Sequence, residues 1–249
     1  METKISLAPE ILFHIGSFPV SNSFFWMLFI TLVLIVSFVL TAKKMKVIPS
    51  GWQNILEILL DGGLKFITGI IGDEKKAKKI FPLIFTFFIF ILFSNLFNFF
   101  PLQFSVFLLE GHEKIPVFRA VMADYGLVLV MTLIAFFAIQ IIGIKESGIV
   151  SYLGKFFNFK SPIKFFLGII ELVSELSKVI SLSFRLFGNI FAGEVLLTII
   201  LFLLPFVGPL PFMLLELMAA LIQAFIFSAL VLIFISLSSH HSEAEEEHA

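Results

Sequence analysis

Residues 165–203 make an apolar stretch of about 39 residues that contains no proline and carries an arginine, Arg185, at its middle. As one helix it would run roughly 58 Å at 1.5 Å per residue. A hydrocarbon core of about 30 Å cannot hold that upright. The two ends, FFLGII and LTIILFLL, are themselves apolar, so projection into water is a poor solution. Steep tilt, well beyond the ordinary ~20°, is the better one. Such a helix needs something wide or curved to lie against. The guanidinium within it is charged at any accessible pH. Near mid-bilayer it costs at least about 2.5–3.5 kcal/mol on insertion scales, so a functional site is the default reading.

The rest of the chain has the same character. Of 249 residues, 59% are hydrophobic, 35 are Phe and only 14% are charged, as in a polytopic membrane protein. Five segments are long and apolar enough to span: 24–42, 80–109, 121–144, 165–203 and 206–237. Residues 52–71 differ. Ile55, Leu59, Phe66 and Ile70 fall on one side, while Glu57, Asp61 and Lys65 step by four on another. That pattern describes an amphipathic helix lying at the interface. The expected fold is all-α: a single membrane domain over residues 1–249, with about five membrane helices and one interfacial helix. The last two long helices would be steeply tilted.

Orientation follows from the cations. Lys43, Lys44, Lys46, Lys65, Lys75, Lys76, Lys78 and Lys79 cluster in one connecting region, and Lys145, Lys155, Lys160 and Lys164 in another. Alternating spans put both regions on one side, opposite only Lys4, Lys114 and Arg119. The positive-inside bias places the N-terminal segment 1–23 outside. It places the acidic tail 239–249 in the cytoplasm, as a solvated, disordered end. The start lacks the basic n-region and short apolar core of a cleaved signal peptide, so the first span is expected to be retained. A net charge of −1, with no basic cluster that resembles a nucleic-acid arm, points away from nucleic acid. With no cysteine, disulfides and thiol chemistry are excluded. No GxxxxGK[ST] loop is present, so no nucleotide is expected to bind directly.

Arg185 has polar company at helical spacing. Ser181 and Asn189, four residues either side, share its face. Lys178 and Ser174 lie within about 20° of it, and Glu171 within about 40°. Headgroup snorkelling is the alternative for the Glu171–Lys178 end. Glu194 falls nearly opposite Arg185 on the wheel, so it needs another partner. In the last segment Glu216 and Gln223 share a face, with Ala219, Ala220, Ala224 and Ser228 close by, small residues that admit a neighbouring helix. A structural hydrogen-bonded pair and an ion path are both open readings of these groups.

At these residues the chain resembles subunit a of rotary F-type ATP synthases. The resemblance rests on SLSFRLFGNIFAGE (181–194) and LIQAFIF (221–227), with IPSGWQNILE (48–57) and FPLIFTFFIFILFSNLFNFFP (81–101) as further blocks. It covers most of residues 45–237. It implies a membrane stator beside a ring of c subunits, with peripheral-stalk b subunits as further partners and the two tilted helices hugging the ring. Arg185 matches the family's essential arginine, which faces each ring carboxylate as it passes. Asn189, Glu194, Glu216 and Gln223 match polar positions of the outer half-channel, and Glu171, Ser174 and Ser181 match the inner one. Asn95, Asn98 and Asp124 would lie by the outer entrance. Two positions depart from the pattern: some members carry His where Glu216 stands, and Asn98 replaces a small or acidic residue. No metal, cofactor or catalytic residue is implied, and ATP chemistry belongs to the partners. A bacterial plasma membrane fits the lysine pattern.

Two other classes compete. A secondary transporter binding an anionic substrate at Arg185 predicts broken helices in related halves, and no internal repeat is visible. A scaffold without transport leaves the Arg185 stripe unexplained. Coupling to sodium in place of protons would depend on the ring.

Overall fold

The computed structural model describes residues 9–46, 51–99, 107–110, 113–117, 119–156, 161–204 and 207–246. Seven helices dominate these residues: α1 (Asn22–Lys43), α2 (Trp52–Ile71), α3 (Glu74–Leu96), α4 (Tyr125–Ser147), α5 (Ile149–Gly154), α6 (Pro162–Leu203) and α7 (Pro209–Glu246). α1, α3, α4, α6 and α7 are each long and apolar enough to cross a membrane. The chain is an all-α polytopic membrane protein.

Helical periodicity generates the core. Ile80, Ile84, Phe87 and Ile91 of α3 recur at steps of four and three, as do Val128, Met131, Ala135 and Ile139 of α4 and Ala224, Phe227, Val231 and Ile235 of α7. Leu182, Leu186 and Ile190 supply one buried line from α6. The opposite faces are equally apolar but exposed, such as Val130, Ile134, Phe137 and Ile141 on α4. Water would penalise such a surface, whereas lipid accepts it. Because lipid is as apolar as leucine, close packing and buried polar contacts must hold the helices together. The stripe Ala220, Ala224 and Ser228 on α7 is accordingly buried, and the Asn95 side-chain amide of α3 donates to the Ala220 carbonyl at 3.4 Å. α6 and α1 are the peripheral members: the most apolar window of each is 11% buried, against 44% for α7.

Four features differ from the sequence reading. The span expected over 80–109 ends at Leu96, passes into a 3-10 turn at Phe97–Phe99 and gives way to a hairpin of β3 (Phe107–Glu110) and β4 (Glu113–Pro116). Asn98 and Pro101 in the sequence are the stop signals. A second hairpin, β1 (Ile11–Ile15) with β2 (Phe18–Ser21), precedes α1. It turns at Gly16, whose φ of 63° is open to glycine. α2 meets α3 through Ile67 and Leu64, while Ile55 and Phe66 of the expected apolar face are exposed. A second apolar ridge, Leu64 and Ile67, lies beside the expected one, of which Ile70 also packs on the core. The helical backbone of α7 also continues to Glu246, into the tail expected to be disordered.

The ends of the bundle are fixed by polar ties. Lys76 at the start of α3 approaches Glu146 at the end of α4 at 3.9 Å, so the two lysine-rich regions share one end. At the other end Asp124 accepts from the Gly126 N–H at 2.9 Å and caps α4. Its second oxygen accepts from the Ser23 hydroxyl of α1 at 2.5 Å. Asp124→Ala should destabilise the fold by about 1–3 kcal/mol, from loss of a cap and a buried partner. Unfolding in mixed detergent micelles measures this. Ser23→Ala should lose less, and the double variant about as much as Asp124→Ala alone; additive losses would show that the two side chains act separately.

Candidate functional site

α6 and α7 run antiparallel, and three contacts set their register. The Asn189 side-chain amide donates to the Gln223 side-chain carbonyl at 2.9 Å. Two to three turns toward the lysine-rich end, the Lys178 ammonium stands 5.1 Å from the Phe234 ring centroid. In the other direction Gly193 lies under Glu216, where an added Cβ would come within 2.6 Å of Oε1. The helices approach that closely only because position 193 has no side chain.

This register sorts the polar residues into two sets. Beyond Arg185, away from the lysine-rich end, lie Asn189, Glu194, Glu216 and Gln223. Glu216 is 8% exposed and Gln223 2%. Glu194 is half-buried, and both Glu216 and Arg119 act on it electrostatically. Asn95 joins them from α3, fully buried beside Ser94. Four polar atoms of this region, Ser94 Oγ, Asn95 Oδ1, Glu216 Oε2 and Gln223 Nε2, are buried without a hydrogen-bond partner among the described residues. Unpartnered buried polar atoms are uncommon in native proteins and call for a physical explanation.

On the lysine-rich side of Arg185, a cavity of about 270 Å³ opens between α6 and α7. Ser174, Ser177, Lys178, Ser181 and Arg185 supply its polar lining, and Leu182, Leu230 and Phe234 its apolar wall. Ser174, Ser181 and Arg185 are exposed. Ion pairs among the described residues do not include Arg185. Glu171 lies outside the cavity lining and pairs with Lys155, just after α5, at 2.7 Å.

The structure thus brings Arg185, Ser174 and Ser181 to one cavity and Glu216, Gln223 and Asn95 to one buried region, with Asn189, itself exposed, bonded to Gln223 at its edge. Asp124 is engaged as a helix cap and tie to α1. Asn98 is half-buried in the turn after α3. Sequence reasoning missed a network at the lysine-rich end. Glu175, 7% exposed, takes Lys178 at 2.7 Å. It also accepts from the Gln140 side-chain amide at 3.1 Å. Gln140 in turn accepts from the Tyr152 hydroxyl. Burial, reinforced by the Glu175 and Glu171 charges, pushes the Tyr152 phenol up to about 12, so it stays protonated as a donor. The signals were available: Glu175 precedes Lys178 by three residues, and Gln140 is the amide within an otherwise apolar span. Arg119 was also passed over, being weighed only for its sign in the topology.

Comparison with known proteins adds a family. The family model described as ATP synthase A chain matches residues 24–236. The chain is 35% identical to ATP synthase subunit a of Campylobacter jejuni over 216 residues, which is 86% of this chain and 88% of the relative. It is 38% identical to ATP synthase subunit a of Campylobacter hominis, over 84% of this chain and 86% of that one. With ATP synthase subunit a of Moorella thermoacetica it shares 33% identity over 92% and 95% of the two chains. The family match across the whole bundle and these relatives along most of both chains show that the chain belongs to the ATP synthase A chain family, as a subunit a of the membrane sector.

Proposed function

We propose that this chain is the proton-translocating stator of a rotary ATP synthase, with two offset half-channels that meet the carboxylates of a c-subunit ring at Arg185. The observation that carries this reading is the placement of Arg185. It is a permanent cation on the exposed face of α6, which with α1 is the least enclosed of the long helices, between a buried polar region and an open polar cavity. A mid-membrane charge needs a counter-charge, and a carboxylate passing on an adjacent ring provides one. The 42-residue length of α6 fits a helix leaning along a curved neighbour.

Proton transfer then follows from charge and solvation. A ring carboxyl facing lipid stays neutral because desolvation penalises its anion, and beside Arg185 the opposite charge favours the anion. The carboxyl gives up its proton on reaching Arg185 and takes another from the second path before it re-enters lipid. Arg185 also repels a proton moving directly between the paths. Asn189, Glu194, Glu216 and Gln223, with Asn95 nearby, form the outer path; their unpartnered buried atoms suit a route that water enters. Asn98 and Asp124 flank its entrance, Asp124 by shaping the end of α4. Ser174 and Ser181 line the inner path, and Glu171 stands near its mouth. The chain catalyses no reaction by itself, and peripheral-stalk b subunits hold it against rotation. It resides in a bacterial plasma membrane with its N-terminus outside and its C-terminus cytoplasmic.

Arg185→Ala should assemble into the complex and reduce ATP-driven proton pumping in vesicles to background. Near-normal pumping by an assembled variant would overturn the assignment.

Orientation is tested by impermeant thiol labelling, for which the cysteine-free chain is a clean background. Cysteines at Lys75, Lys79 and Lys155 should be shielded from reagent added outside, and one at Glu110 reachable. The reverse pattern would exchange the two paths.

Glu194→Gln and Glu216→Gln keep size and hydrogen bonding but remove the titrating group. Each should slow pumping by about ten-fold or more at normal assembly. Glu216→His should retain partial activity, since imidazole titrates near neutrality. Full activity in both Gln variants would remove these carboxylates from the path.

A further inference from the structure

The buried network at the lysine-rich end contains an acidic residue that the proton path does not use. Glu175 points away from lipid, and both its oxygens are engaged: one by the Lys178 ammonium at 2.7 Å, the other by Gln140 at 3.1 Å. Gln140 belongs to α4 and is itself held by Tyr152 of α5. The carboxylate is therefore fixed by three elements, with no free oxygen to pass a proton. Its ion-pair partner does face the path. Lys178 lines the same cavity as Arg185 and Ser181, seven residues or roughly 10 Å along the helix from Arg185. Unpaired, it would add a second positive charge to the route of another cation. The Phe234 ring, 5.1 Å from the ammonium, further limits where that charge can go.

We infer that Glu175 is a positioning residue for the inner path: anchored by α4 and α5, it pins Lys178 to the cavity wall and cancels its charge, leaving Arg185 as the uncompensated cation of the cavity. This rests on the reading of that cavity as the inner half-channel. Glu175 acts through Lys178 and does not touch the transported proton.

The test is passive proton conduction through the reconstituted complex, normalised to assembled subunit, with ATP-driven pumping by Arg185→Ala measured in parallel. Glu175→Gln preserves shape and exposes the lysine charge, so conduction should fall by about ten-fold, as a cation at that distance in a poorly screened site requires. Removing the exposed charge should repair it: Glu175→Gln with Lys178→Met should return to within about two-fold of the parent. Glu175→Asp, which keeps the charge, should conduct better than Glu175→Gln. A packing role predicts the opposite order and no rescue. Parental conduction by Glu175→Gln, or a double variant no faster than Glu175→Gln alone, would overturn the inference. If Glu175→Gln does not assemble, the double variant decides: assembly with conduction supports charge cancellation, whereas failure in either respect assigns the pair to packing. Near-normal ATP-driven pumping by Arg185→Ala would instead sink the proton-path reading itself, whatever Glu175 does.

Discussion

The antiparallel register of α6 and α7 is the constraint on which the rest depends. One amide-to-amide hydrogen bond, Asn189 to Gln223, and one side-chain-free position, Gly193 beneath Glu216, hold two long helices in a fixed alignment. An interhelical hydrogen bond in a membrane contributes only about 0.6–2 kcal/mol, so alignment comes from the bond and the close approach acting together. Sliding either helix by one turn would move Glu216 off Gly193 and onto a residue with a side chain. With the register set, a polar region and a polar cavity fall on either side of the Arg185 level. Those are the two features any vectorial path through this bundle has to use.

α3 and α4 brace that pair. α3 packs along α7 through the small-residue stripe and brings Asn95 to the buried region. α4 packs against both long helices and supplies Gln140 at the opposite end. The bundle is thus polar inside at two levels and apolar outside except along α6, which is left open along one edge with Arg185 exposed on it. An open edge bearing a permanent charge is a costly surface in lipid. Family membership as subunit a of an ATP synthase gives that edge a reason to exist.

The sequence made the large features legible because they are long. Five spans, the amphipathic character of residues 52–71 and the stripe around Arg185 all emerge from periodicity sustained over several turns. What escaped was short or pairwise. The hairpins before α1 and α4 have strands of only four or five residues, too brief to stand out in a phenylalanine-rich chain. The packed ridge of α2 was ambiguous because Leu64 and Ile67 are no more apolar than Ile55 and Phe66. Glu216 and Gln223 were found because they share a face seven residues apart. Glu175 was not, since its partners Gln140 and Tyr152 lie on other helices. Asp124 was read for its charge, whereas its geometry shows a cap and a clasp. Spacing along one helix reveals which residues share a face, but a bond between elements distant in sequence leaves no periodic trace.

The clasp between Ser23 and Asp124 joins residues 101 positions apart, and α1 has little else to enclose it, with its most apolar window only 11% buried. Chains are made at about 5–20 residues per second, so roughly 5–20 s separate the two halves of that bond during synthesis. Early in that interval the first helix is a lone span in lipid, until α3, which also packs on it, follows. The clasp itself forms late, with the arrival of the entrance to α4, so the end of the bundle where α1 begins closes only after about half of the chain has been made.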